Sequence, residues 1–165
     1  GHIEYEPNRA KGSTFVVLLP RGTTRAPILL ETGVLEEGRG SETVLVVEDE
    51  ALVRDLAVRA LSQAGFQVLQ AADGHQALAR AREHVGTIHL LLSDVVMPGM
   101  NGLELATTLK QERPALRVML MSGYPDAALA QRGEVMREEW PLLRKPYTPR
   151  ELSARVREVL DRTPV

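Results

Sequence analysis

Four segments of this chain, far apart in sequence, carry side chains that could act together on phosphorus: Glu48-Asp49-Glu50, Asp94, Ser122 and Lys145. Ionised carboxylates are nucleophiles and ligands for hard cations. A hydroxyl donates to an oxyanion, and a lysine ammonium is a mobile point charge. Asp94 ends the run Leu90-Leu91-Leu92-Ser93, and the Pro/Gly-rich loop Val95-Val96-Met97-Pro98-Gly99-Met100-Asn101-Gly102 follows it. A nearly continuous apolar run is the mark of a buried parallel strand. Ligands of open α/β sheets bind just beyond the carboxyl ends of such strands. Asp94 is therefore expected at the lip of a sheet, exposed on one side, as the reacting group.

Gathered at one edge, three carboxylates repel by on the order of 4 kcal/mol per pair at a few Å and an effective dielectric of ~20. Without a cation, at least one of them should take up a proton more readily than usual. A hard divalent ion relieves the repulsion, and an all-oxygen, partly hydrated site suits Mg²⁺ better than zinc. Such an ion also acts as a Lewis acid in phosphoryl transfer. Asp94 is then the nucleophile that forms an acyl phosphate. Ser122 bonds a transferred oxygen and Lys145 neutralises another. No general base is visible, and an ionised carboxylate needs none.

Each group has a plainer reading when taken alone. Asp94 is then a turn residue or cap, Ser122-Gly123 a turn, and Lys145 a solvated lysine. Glu48-Asp49-Glu50 is then the negative start of a helix, favoured by its dipole. Complementary groups on four strand tips favour the active-site reading. His75, His84 and His89 are spaced unlike metal ligands.

The elements that must position these groups alternate. Val44–Val47 is a buried strand, and Leu52, Val53, Leu56, Ala60, Leu61 and Ala64 recur at helical spacing until Gly65. Phe66–Ala71 is a second strand, followed by a helix that Asp73-Gly74-His75-Gln76 caps. Ile88–Ser93 is the third strand, and Asn101-Gly102-Leu103-Glu104 caps a helix running to about Glu112. Arg117–Met121 is the fourth, a weaker helical pattern broken by Gly133 spans 125–138, and Pro141–Arg144 is a short fifth strand. Thr148-Pro149-Arg150-Glu151 opens a last helix with Leu152, Val156, Val159 and Leu160 as its apolar stripe. The alternation predicts an α/β fold, a doubly wound five-stranded parallel sheet with helices on both faces.

Ahead of it, His2–Glu6 and Ser13–Leu19 read as two strands of a hairpin, marginal on its own in water. Residues 20–42 have linker composition around the apolar island Ile28-Leu29-Leu30. A length of 165 residues, 44% hydrophobic and 25% charged, suits one domain with an attachment. The net charge of −2 argues against a general nucleic-acid binder. The lack of cysteine excludes disulfides, thiolate metal sites and a thiol nucleophile. No apolar run is long enough to span a bilayer and no secretory signal is visible, so a cytoplasmic location is expected. The chain begins without methionine, as a piece of a longer protein would, and Gly1-His2 is equally readable as a tag remnant.

The segments Val46-Val47-Glu48-Asp49-Glu50, Ser93 to Gly102, Met121-Ser122-Gly123-Tyr124 and Arg144-Lys145-Pro146-Tyr147 together resemble the bacterial response-regulator receiver domain, over roughly residues 43–162. The resemblance implies a flavodoxin-like sheet of order 2-1-3-4-5 and phosphorylation of Asp94 by a phosphohistidine on a partner. It implies Mg²⁺ held by Asp49, Asp94 and the Val96 carbonyl, with Glu48 acting largely through water. It also implies a cis bond before Pro146, since Xaa-Pro is where cis bonds occur. One departure is plain: the aromatic that the family places three residues before the lysine is Leu142 here. Tyr124 and Trp140 lie nearby but out of line, so a packing change other than an inward-turning ring would carry the signal. Tyr124, Leu142 and Tyr147 are the candidate switch-face residues.

Gly1-His2-Ile3-Glu4-Tyr5 with Lys11 to Pro20 looks like the closing strands of a histidine-kinase ATPase domain. The resemblance then implies the tail of a hybrid histidine kinase: ATPase remnant at 1–20, linker at 21–42, receiver at 43–162. Segments for ATP binding and for a phosphoaccepting histidine are absent, so this piece is not expected to bind ATP. The implied partner is a histidine kinase dimerisation domain or a histidine phosphotransfer protein. No nucleic acid or membrane contact is expected, while a second copy could pair through the open hairpin edge. The rivals are an unphosphorylated receiver-like interaction module and an aspartyl-phosphate hydrolase of the haloacid-dehalogenase type. The latter carries a second Asp two residues beyond its nucleophile, where this chain has Val96.

Overall fold

The computed structural model of the chain describes residues 1–7, 12–20, 40–123 and 140–162. Tyr124, the helical pattern over 125–138 and the linker from 21 to 39 lie outside the described residues. Two compact units are present, Gly1–Val34 and Leu35–Val165. In the first, β1 (His2–Pro7) and β2 (Ser13–Leu18) form the expected antiparallel hairpin. Ile3 lies opposite Val17 and Tyr5 opposite Phe15, so these four side chains share one face, and all are exposed. The Tyr5 and Phe15 rings lie 5.5 Å apart.

The second unit runs β3 (Thr43–Val47), α1 (Ala51–Gln63), β4 (Gln67–Ala71), α2 (Gly74–Glu83), β5 (Leu90–Asp94), α3 (Gly102–Glu112), β6 (Arg117–Ser122), β7 (Leu142–Arg144) and α4 (Pro149–Asp161). All its strand pairs are parallel, in the order β4-β3-β5-β6-β7. Counted within this sheet, that is the expected 2-1-3-4-5.

The apolar runs split by alternation, because successive side chains of a strand point to opposite faces. Val44, Val46, Leu90, Leu92, Met119 and Met121 pack with α1 and α4 through Ala57, Leu61, Leu152 and Val156. Leu45, Val47, Leu91, Val118 and Leu120 pack with α2 and α3 through Ala77, Ala81, Leu105 and Leu109. Each fully buried side chain of this size contributes about 1.5–3 kcal/mol. Leu90, Leu91 and Leu92 are all fully buried, so the strand carrying Asp94 is firmly anchored.

Boundaries differ from expectation in physically clear ways. β5 and β6 each run one residue further, because Asp94 pairs with Met121 and Ser122 with Arg144. Phe66 stands before β4 and is buried in the α1–α4 core. The capping boxes at Asn101/Glu104 and Thr148/Glu151 are complete, the second with Pro149 in the first turn. At α2 only half of the box forms. Asp73 Oδ1 accepts from Gln76 N–H at 2.8 Å, but Gln76 Oε1 accepts from Ala72 N–H, one residue ahead of the cap. Among the described residues no helix is long and apolar enough to cross a membrane.

Candidate functional site

The carboxyl edge of the sheet collects the groups that the sequence scatters. β3 runs directly into Glu48 and Asp49, and Glu48 N–H donates to the Ala71 carbonyl at 3.2 Å, tying this exit to β4. Carboxylate oxygens of Glu48, Asp49 and Asp94 all lie within 4.8 Å of one another. Lys145 enters from β7, with its backbone N–H on the Ser122 carbonyl at 2.9 Å and a cis bond to Pro146. Its Nζ donates to Glu48 Oε2 at 2.5 Å and to Asp94 Oδ2 at 2.6 Å. Ser122 is buried at the end of β6, one residue beyond the partner of Asp94.

Asp94 is more enclosed than a strand lip suggests, with a side chain only 12% exposed. The loop after it folds back: Asp94 Oδ1 accepts from Val96 N–H at 3.2 Å, and Gly102 N–H donates to the Val95 carbonyl at 2.9 Å. A Cβ at residue 102 would fall on the Asp94 carbonyl oxygen, so this close approach requires glycine. The Asp94 carbonyl also accepts from Ser93 Oγ at 2.9 Å.

The carboxylate that protonates more readily is Glu48. Burial is the main reason and the Asp94 charge a lesser one, against an opposing pull from Lys145. The expectation of one proton-prone acid is met, but burial rather than mutual repulsion is its chief source. Burial alone would lower the Lys145 pKa; its bonds to Asp94 and Glu48 outweigh that and raise it. Lys145 is therefore a cation at neutral pH.

Three carboxylates on one rim form an all-oxygen donor set, which fits a hard divalent cation and not a soft one. Asp49 is exposed, so such an ion could keep water ligands.

Of the candidate switch residues, the two described ones, Leu142 and Tyr147, lie on opposite faces of the sheet. Leu142 is half-buried on the α2–α3 side of the sheet, where Trp140 is also buried. Tyr147 packs on the α1–α4 side, where burial raises its pKa and its hydroxyl donates to Met121 Sδ at 3.3 Å. His89 lies at the amino edge of the sheet, its Nδ1 accepting from Thr43 N–H at 2.9 Å, away from the acidic rim. Sequence reasoning passed over Arg54, whose Nη1 donates to the Glu48 carbonyl at 2.7 Å. An arginine in the second turn of a helix carries no local mark of such a bond.

A family model described as the response regulator receiver domain matches residues 44–157. The sensor kinase CckA of Brucella abortus is 35% identical over 170 aligned residues, which cover 98% of this chain and 18% of that protein. The response regulator receiver protein CpdR of the same organism is 33% identical, over 71% of this chain and 95% of its own length. Among solved structures, the receiver domain from a hybrid histidine kinase CckA is 39% identical with a TM-score of 0.61, covering 72% of this chain and 99% of that one. The chemotaxis response regulator CheY4 of Vibrio cholerae is 27% identical with a TM-score of 0.62, over 73% of this chain and 99% of its own.

Proposed function

The chain belongs to the response regulator receiver domain family, the phosphoacceptor module of two-component signalling, and on that premise we propose that Asp94 is the residue phosphorylated. The observation that carries this reading is the Lys145 ammonium bridging Glu48 and Asp94, with Asp49 alongside. An isolated strand-end aspartate needs no such company.

Asp94 attacks the phosphorus of a phosphohistidine; the new P–O bond forms as the P–N bond breaks, and the imidazole leaves with the electron pair. Asp49, Asp94 and the Val96 carbonyl would hold Mg²⁺, with Glu48 acting through water, and the bound ion would supply Lewis-acid charge to the transferred oxygens. Lys145 exchanges a carboxylate contact for one phosphoryl oxygen, and the Ser122 hydroxyl donates to another. Val96 presents an apolar side chain where a phosphatase carries its acid/base, so water attacks the acyl phosphate slowly.

Phosphorylation adds about −1.5 to −2 charge at the rim. Moving a conformational pair from 1:99 to 99:1 takes about 5.5 kcal/mol of differential stabilisation. Tyr124, Leu142 and Tyr147 are the residues assigned to that response. The phosphodonor is a histidine kinase dimerisation domain or a histidine phosphotransfer protein, and the domain works in the cytoplasm. Similarity to the sensor kinase along 98% of the chain supports residues 1–20 as an ATPase-domain remnant and 21–42 as a linker in a hybrid kinase.

Acetyl phosphate or beryllofluoride with Mg²⁺ tests the reading, comparing wild type with Asp94→Asn by intact mass and NMR. A single phosphoryl increment and shifted rim resonances are expected for wild type only. Equal labelling of Asp94→Asn would overturn the assignment.

A further inference from the structure

α1 begins differently from the other described helices. Side-chain oxygens of Asp73, Asn101 and Thr148 cap α2, α3 and α4, whereas Glu50 at the start of α1 makes no side-chain cap bond. The difference falls on the Glu48-Asp49-Glu50 turn, which bears two of the three rim carboxylates. A carboxylate engaged in capping is withdrawn from the pocket. Left to itself, a turn of three acidic residues repels itself and samples many conformations. Besides the Glu48 N–H bond to Ala71 and the Lys145 contact, α1 itself supplies a restraint on this turn. Beyond the ordinary first helical bond from its backbone N–H to the Glu50 carbonyl at 2.9 Å, Arg54 donates its guanidinium Nη1 to the Glu48 carbonyl at 2.7 Å. The Glu48 carbonyl is thus held by Arg54, while the Glu48 carboxylate faces Lys145 on the rim. Arg54 is half-buried and stands outside the fully buried residues of α1, which are Ala57, Ala60 and Leu61.

We propose that Arg54 is a positioning residue for the acidic rim, holding the Glu48 carbonyl so that the Glu48 and Asp49 carboxylates converge with Asp94 on one divalent cation. The inference rests on the Mg²⁺ site proposed above. It predicts the opposite sign from charge alone. A guanidinium beside three carboxylates repels a dication, so by Coulomb's law its removal tightens Mg²⁺ binding. As a positioning group, its removal weakens binding, because the ion must then order the turn itself. One net hydrogen bond corresponds to a loss of about three- to tenfold.

The experiment is a Mg²⁺ titration of the full chain, without phosphodonor, followed by amide NMR shifts in wild type, Arg54→Met and Arg54→Lys. Arg54→Met should bind about three- to tenfold more weakly, with Arg54→Lys in between. Equal or tighter binding by Arg54→Met overturns the proposal. Should Arg54→Met fail to fold, Arg54→Lys decides by the same criterion: weaker binding supports it, equal or tighter binding overturns it. A wild type that binds no Mg²⁺ removes the metal site and this role with it. A wild type that binds, beside an Arg54→Met that binds as well, removes only the role of Arg54.

Discussion

Replacing Lys145 by methionine keeps the aliphatic stem and deletes the charge that joins two enclosed carboxylates. The Glu48 side chain is 2% exposed, that of Asp94 12% and that of Lys145 19%. Removing one partner of a buried pair costs 3–5 kcal/mol because the other charge is left unpaired. Partial exposure of Lys145 places the loss at the lower end, about 3 kcal/mol, in metal-free buffer. The pH dependence carries the diagnostic sign. A carboxyl whose folded pKa is raised contributes stability below its unfolded pKa and loses it as pH rises through the folded value. Glu48 is such a group, and Lys145 is what restrains its rise. In the variant that shift grows, so the penalty should shrink by at least about 1 kcal/mol between about pH 8 and about pH 5. The raised pKa of Lys145 itself adds no slope there, since its contribution is lost only in the alkaline range. Urea unfolding followed by circular dichroism at the two pH values measures both quantities. A loss under about 1 kcal/mol, or one that does not vary with pH, would mean that Lys145 does not hold the two enclosed carboxylates together.

Three further outcomes follow from individual contacts. Gly102→Ala drives a methyl into the Asp94 carbonyl and should cost about 1–3 kcal/mol and slow phosphorylation; an unchanged melting temperature contradicts the close approach. Val96→Asp should accelerate loss of the phosphoryl group, and rates equal to wild type in a chase experiment would dismiss the water-screening role of Val96. Thr148→Ala should cost about 1 kcal/mol in denaturant unfolding by uncapping α4 while leaving phosphorylation unchanged; altered phosphorylation would tie that cap to the site.

The sheet was legible because its signals are local. Leu90-Leu91-Leu92-Ser93 reads as a buried strand because a carboxylate and a Pro/Gly-rich loop cut it short, and Asn101…Glu104 and Thr148…Glu151 are caps that depend only on their own four residues. Convergence of Glu48, Asp49, Asp94 and Lys145 was legible too, since parallel strands share a carboxyl edge. What the sequence hid is contact across space. Gln76 reaches Ala72 rather than its own cap residue. The need for glycine at 102 comes from a carbonyl eight residues earlier. Arg54 looks like any helical arginine until its guanidinium is seen on the Glu48 carbonyl. The enclosure of Asp94 likewise depends on how its loop folds back, which no strand pattern encodes.

Chemical mapping locates the phosphorylated atom directly. After acetyl phosphate and Mg²⁺, borohydride reduces an aspartyl phosphate to homoserine, which peptide mass spectrometry locates. Homoserine is expected at position 94 alone. Reduction at residue 49, or no reducible acyl phosphate in a folded, Mg²⁺-bound chain, would contradict it.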